Sequence, residues 1–188
     1  MVIGVLALQG AFIEHQKALA ACGVASRQVR KPEQLAGIQG LIIPGGESTT
    51  MGKLMHRFAL FEPLQELGRQ GLPIFGTCAG LIMLAKEIAG SNQPRLGLLD
   101  IEVERNAFGR QVESFETGLE VPELGQQPLR AVFIRAPYIK RVADNVQVMA
   151  TYQDKIVLAR QHNCLVAAFH PELTDDLRLH RYFLNMIK

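Results

Sequence analysis

The chain alternates between short apolar runs and longer stretches with apolar positions at helical spacing. VIGVLAL (2–8) is an almost unbroken apolar run of strand length, as expected of a strand covered on both faces. FIEHQKALAACG follows with helical spacing and stops at Gly23, a residue suited to a helix C-cap. VASRQVR and a single KPEQLAG turn lead into GLIIPGG (40–46), another buried strand, which runs into glycines. From Ser48 to about Gly71 the pattern predicts helix, interrupted near Pro63. LPIFG (72–76) is a further core strand, and LIMLAKEIAG after it is helix-like. This alternation predicts right-handed βαβ units, hence a parallel sheet with helices on both sides.

Beyond Gly90 the texture changes. LLDIEVERN, QVESFETGLEV, RAVFIRA, VQVMATY and KIVLARQ read as strands joined by short loops, the pattern of an antiparallel annex. CLVAAFHPEL returns to a buried strand, and DDLRLHRYFLNMIK closes as an amphipathic helix. No internal repeat, low-complexity tract or long linker divides the chain, so residues 1–188 are expected to form a single domain.

Composition narrows the class without changing it. In 188 residues, 48% are hydrophobic and 20% charged, the balance of a globular protein with a full core. A net charge of +2 with no basic block gives no footing for nucleic acid. No apolar run approaches membrane-spanning length, and MVIGVLALQG lacks the basic start and cleavage site of a signal peptide, so the expected location is cytoplasmic. Cys22, Cys78 and Cys164 are widely spaced and offer neither a disulfide framework nor a CxxC metal signature. A small buried hydrophobe describes Cys22 and Cys164 well enough.

Cys78 stands apart because it lies in GTCAG, at a predicted strand-to-helix junction. G-x-C-x-G is a thiol counterpart of the G-x-S-x-G nucleophile elbow. A sharp turn there holds the central residue in a strained conformation, and glycines at 76 and 80 allow tight packing around it. The helix start beyond it favours a thiolate. Two other predicted strands end in unusual chemistry, IIPGGES and AAFHPEL, and in a parallel sheet all three ends share one edge. In FHPEL, Pro171 bars a continuing helix, which predicts extended chain with His170 and Glu172 two residues apart on one side. A carboxylate beside an imidazole fixes its tautomer and stabilises the imidazolium, and the imidazole can exchange a proton with Cys78. In PGGES, consecutive glycines before a helix expose backbone N–H groups; Gly46 with Ala79 is the candidate oxyanion site.

Other patterns carry less. ESTTMGKL brushes against the phosphate-loop pattern, but Glu47 replaces its first glycine and Leu54 its hydroxyl. His15, His56, His162 and His180 stand at no ligand spacing and read as surface histidines. Arg105, Arg110 and Arg135 lie in the annex, and any one of them offers the two-pronged fork that grips a carboxylate. Nothing calls for a metal or a cofactor.

With GTCAG, HPE and PGGES together, the chain resembles class I, triad-type glutamine amidotransferases. GVLALQGAFIEH, PGGESTTMGKL, FGTCAGLIMLAKEI, VERNAFGRQVESFE, VFIRAPYI and AFHPELTDD narrow the resemblance to the glutaminase subunits of pyridoxal 5'-phosphate synthase, from residue 2 to residue 176. Departures are small: Ala107 and Ala168 stand where relatives have other small residues. The expected fold is therefore α/β, a flavodoxin-like three-layer sandwich with a mostly parallel central sheet, helices on both faces and a small antiparallel annex.

The resemblance implies a glutaminase with Cys78 as nucleophile and His170 and Glu172 as its relay. It implies that L-glutamine is held by Gly46, Glu47 and Ser48, by Arg105, and by Ile134 and Arg135. It further implies a hetero-oligomer with a (βα)8-barrel synthase subunit, which receives the ammonia through an internal channel and whose docking sets the glycine loop. Three rivals stand beside it: a class I amidotransferase serving another acceptor, a DJ-1/PfpI-like protein, and a non-catalytic binding domain.

Overall fold

The computed structural model describes residues 1–105 and 114–187. In chain order its elements are β1 (Val2–Leu6), α1 (Phe12–Ala21), β2 (Ala25–Val29), β3 (Gly40–Ile43), α2 (Ser48–Arg57), α3 (Phe61–Arg69), β4 (Ile74–Thr77), α4 (Ala79–Leu84) and β5 (Ala85–Ile88). There follow β6 (Leu99–Glu104), β7 (Ser114–Leu119), β8 (Leu129–Ile134), β9 (Tyr138–Val142), β10 (Gln147–Tyr152), β11 (Lys155–Gln161), β12 (Cys164–Ala167) and α5 (Arg178–Asn185).

The main sheet runs in the order β2-β1-β3-β4-β12-β11-β9-β6-β5, with β10 pairing β11. From β2 through β12 every pairing is parallel, and the antiparallel pairings begin between β12 and β11. Its central strands β3, β4 and β12 are buried at every position, which explains their unbroken apolar sequences. Alternation along β4 shows what covers each face. The Phe75 ring lies 6.2 Å from that of His15 in α1 and 5.6 Å from that of Phe183 in α5. Ile74 points the other way, toward Gly68 of α3, and α2 and α4 pack together on that side. Helices thus cover both faces, as the sequence pattern requires.

The separate annex is the antiparallel pair β7–β8; the remaining antiparallel strands extend the main sheet. Two stretches depart from the sequence pattern. LIMLAKEIAG is helical only through Leu84: Ala85 turns to φ −62°, ψ 144°, and Ala85–Ile88 joins the sheet edge beside β6. Sheet pairing there outweighs the helix propensity of Ala, Lys and Glu. The break between α2 and α3 falls at Ala59, with φ 54°, rather than at Pro63, which sits in the first turn of α3 where a missing N–H costs nothing. Among the described residues, no helix is long and apolar enough to cross a membrane.

Candidate functional site

Because β3, β4 and β12 are neighbouring parallel strands, the loops after Ile43, Thr77 and Ala167 emerge on one edge. Cys78 follows β4 directly and takes φ 49°, ψ −102°, a conformation that L-residues avoid. Its backbone N–H donates to the Ala167 carbonyl at 2.8 Å, which ties the turn to β12. The flanking glycines have a packing reason. A Cβ on Gly76 would stand 2.6 Å from the Gly80 carbonyl, and one on Gly80 would overlap the Ile43 carbonyl of β3. Close approach of α4 to β3 and β4 therefore needs both glycines.

His170 and Glu172 reach the same edge from β12. Glu172 does not lie in extended chain as the sequence suggested: Pro171–Leu173 forms a 3₁₀ turn with His170 at its N-cap. Proline suits the first position of such a turn, where its missing N–H would have no partner. The two side chains meet nonetheless, with His170 Nδ1 2.7 Å from Glu172 Oε1. Backbone from the annex completes the anchoring: His170 N–H donates to the Val132 carbonyl of β8 at 2.8 Å. Cys78 Sγ stands 3.9 Å from the Ile134 carbonyl at the end of β8. Cys78, His170 and Glu172 are each only 7% exposed.

Burial pulls the His170 pKa down, but hydrogen bonding to Cys78 and the Glu172 carboxylate outweigh it and push it up to about 10. For Glu172, burial raises the pKa, while His15 and the His170 hydrogen bond bring it below the ordinary carboxylate value. His170 is thereby set to remain an imidazolium, held by the Glu172 carboxylate. Cys164 is buried, and burial alone pushes its thiol up to about 12. Cys22 is half-buried at the end of α1.

A cleft of about 570 Å³ opens over Cys78 and His170. Gly46, Glu47, Ser48, Arg105, Ile134 and Arg135 all line it, so the structure brings these sequence candidates together. Ala79 is the first residue of α4, where a helix leaves its leading N–H groups without helical partners. The glycine loop is pinned by a residue the sequence pattern did not single out. Gln9 Nε2 donates to the Glu47 carbonyl at 2.8 Å, and Glu47 N–H donates to Gln9 Oε1 at 3.2 Å. The Glu47 carboxylate caps α2, accepting from the Thr49 and Thr50 N–H groups at 2.9 and 2.7 Å. Burial raises its pKa, but the Thr50 hydroxyl, which donates to Oε2 at 2.6 Å, and those backbone bonds outweigh it and lower the value to about 2.

Gln93 was also missed, since nothing in SNQPRLG marks it. It is buried, accepts from Arg105 Nη1 at 2.7 Å and donates to Ser48 Oγ at 2.9 Å, and so ties one candidate substrate contact to another. Arg135 is exposed at the cleft with φ 42°. Arg110 and Ala107, with the middle of VERNAFGRQVESFE, lie outside the described residues.

The surface reading of the histidines holds for His56 and His162 and fails for His15 and His180, which are fully buried. The signal was present. His15 shares a helical face with Ala18 and Leu19, and His180 shares one with Phe183 and Leu184. Among the described residues, no group of three or more His, Cys, Asp or Glu is arranged to hold a metal ion.

Comparison with known proteins bears on this geometry. The model of the SNO glutamine amidotransferase family matches residues 5–188. Pyridoxal 5'-phosphate synthase subunit PdxT of Desulforamulus reducens is 77% identical over 188 residues, covering 100% of both chains. The subunit of the same name from Pelotomaculum thermopropionicum is 71% identical over 98% of this chain and 94% of its own. A crystal structure of a glutamine amidotransferase superposes with a TM-score of 0.94 at 53% identity, covering 100% of this chain and 99% of that one.

Proposed function

The chain belongs to the SNO glutamine amidotransferase family, and from that premise we propose that it releases ammonia from L-glutamine and donates it to a synthase subunit making pyridoxal 5'-phosphate. The observation that carries this reading is the Cys78–His170–Glu172 group at one sheet edge, at the floor of a cleft lined by Arg105, Arg135 and the Gly46–Ser48 loop. The names of the full-length relatives supply the synthase.

The geometry supports the following reaction. The Cys78 thiolate attacks the side-chain amide carbon of glutamine, and the carbonyl oxygen becomes an oxyanion facing the N–H groups of Gly46 and Ala79. His170 delivers its proton to the departing nitrogen, which leaves as ammonia, and a γ-glutamyl thioester remains on Cys78. His170, now neutral, takes a proton from water. The hydroxide attacks the thioester carbon, and collapse of the adduct expels the thiolate and frees glutamate. Glu172 holds Nδ1 of the ring throughout. Arg105 and Arg135 bring positive charge to the cleft for the α-carboxylate of the substrate.

Residues 1–188 act as one class I domain, in the cytoplasm, docked on a (βα)8-barrel partner that takes the ammonia before it is protonated in bulk water. The test is glutamate release by the purified chain with and without a synthase subunit, beside Cys78→Ala. Partner-dependent release that disappears in the variant supports the reading. Complex formation without release refutes it.

A further inference from the structure

A buried polar chain continues behind the candidate triad. Glu172 uses Oε1 for His170, while Oε2 is fully buried and has no hydrogen bond among the described residues. His15 Nε2 of α1 stands 3.4 Å from that oxygen and 3.1 Å from Thr77 Oγ1 of β4. On its far side, His15 Nδ1 lies 3.0 Å from His180 Nε2 of α5. Among the described residues His180 Nδ1 has no hydrogen-bond partner, and both rings are fully buried.

Physical chemistry decides where the protons sit. Burial lowers the His15 pKa, more than Glu172 raises it, and burial and His15 bring His180 to about 3, so both rings are neutral near pH 7. Each neutral imidazole carries one N–H. If His15 carried its proton on Nδ1, the bare lone pair of Nε2 would face the Glu172 carboxylate, and His180 would bury an N–H with no acceptor. With the proton on Nε2, His15 donates to Thr77 Oγ1 and brings the same N–H dipole within 3.4 Å of Glu172 Oε2, His180 Nε2–H donates to His15 Nδ1, and the unmatched atoms are both acceptors, Glu172 Oε2 and His180 Nδ1. An orphaned acceptor is the more tolerable of the two.

We propose that His15, oriented by His180, is a positioning residue that holds the Glu172 carboxylate in the rotation that serves His170. The groups facing that carboxylate are His170 and the Glu172 backbone N–H from its own turn and His15 from α1, with Thr77 of β4 and His180 of α5 bonded to His15. Glu14 on α1 acts on His15 only at a distance. Without the His15 N–H, Oε2 loses the dipole that stands 3.4 Å from it, and the carboxylate turns to find another donor, leaving the imidazolium unsupported. This proposal rests on the glutaminase reading above.

Two polar substitutions separate positioning from packing. Gln places its amide near the Nε2 position of histidine, and Asn places its own near Nδ1. In the complex with a synthase subunit, His15→Gln should keep kcat within about threefold of wild type. His15→Asn should lose about 10- to 100-fold in kcat, the size of one polar contact with a buried charge, with KM unchanged. The acid limb of its kcat/KM profile should move to higher pH. On the isolated chain, the acid limb of iodoacetamide alkylation at Cys78, read by peptide mass spectrometry, should move the same way. Equal losses in both variants with unmoved pH limbs, or a fully active His15→Asn, would overturn the proposal. Thermal melting of each variant identifies simple unfolding, and the alkylation profile of His15→Gln then decides alone. Absent turnover by wild type itself would instead count against the glutaminase reading, while the alkylation profiles still test His15.

Discussion

Gly45→Ala is a one-methyl perturbation aimed at the centre of the site. A Cβ on Gly45 would stand 3.1 Å from His170 Nδ1 and 3.4 Å from Cys78 Cβ, and closer still to His170 Cε1. Gly45 does not take a positive φ, so its backbone accepts alanine and the effect is steric alone. His170 has little room to yield: its N–H is bonded to Val132 of β8 and its ring to Glu172. A shift of the ring by about 1 Å relieves the clash, and a misplacement of that size costs on the order of 100-fold in turnover. Overpacking of this kind lowers stability by about 1–3 kcal/mol, which leaves a protein of ordinary stability folded. The assay is glutamate release by the complex, with thermal melting beside it. Gly23→Ala is the control: its φ of 75° strains alanine, but no atom of the described residues lies within 4 Å of the added Cβ, so stability should fall while turnover stays. A folded Gly45→Ala with turnover within about threefold of wild type would refute the reasoning.

Glu172→Gln keeps a hydrogen-bonding shape but loses the charge, so its turnover should fall less than that of Cys78→Ala, which should be undetectable; single-turnover kinetics rank the two. Because the folded pKa of His170 is raised to about 10, its contribution to stability is complete below its ordinary value of 6.5 and disappears as pH rises through about 10. The stability gap between wild type and His170→Asn in urea titrations should therefore narrow across that window. Glu47→Ala removes the cap of α2 and should cost about 1 kcal/mol at neutral pH. With a folded pKa of about 2, that contribution is present above 4.5 and lost as pH falls through 2, so melting of the two proteins should converge in acid. Gln93→Leu frees Arg105 and Ser48 from each other and should raise KM for glutamine more than it lowers kcat in steady-state assays.

The parts of the molecule legible in the sequence are those where local pattern and tertiary role coincide. The buried strands β1, β3, β4 and β12 announce themselves because both faces are covered, and the glycines of GTCAG because α4 lies against backbone there. What escaped depends on partners distant in the chain. Ala85–Ile88 reads as helix until β6 offers it a neighbour, and Tyr138–Val142 gains its strand character from pairing with β6 and β11. His15 and His180 occupy the apolar faces of their helices, but only the stacking of α1 and α5 on β4 makes them meet. Gln9 and Gln93 act through hydrogen bonds to loops 38 and 45 residues away, which no local pattern encodes.

The central claim is that Cys78 carries the glutamyl group. In the complex with a synthase subunit, glutamine and hydroxylamine should yield γ-glutamylhydroxamate, formed at the expense of glutamate as the nucleophile replaces water at the thioester. Rapid acid quench should leave the glutamyl adduct on the Cys78 peptide alone. Glutamate formed without hydroxamate and without label on Cys78 would contradict the account.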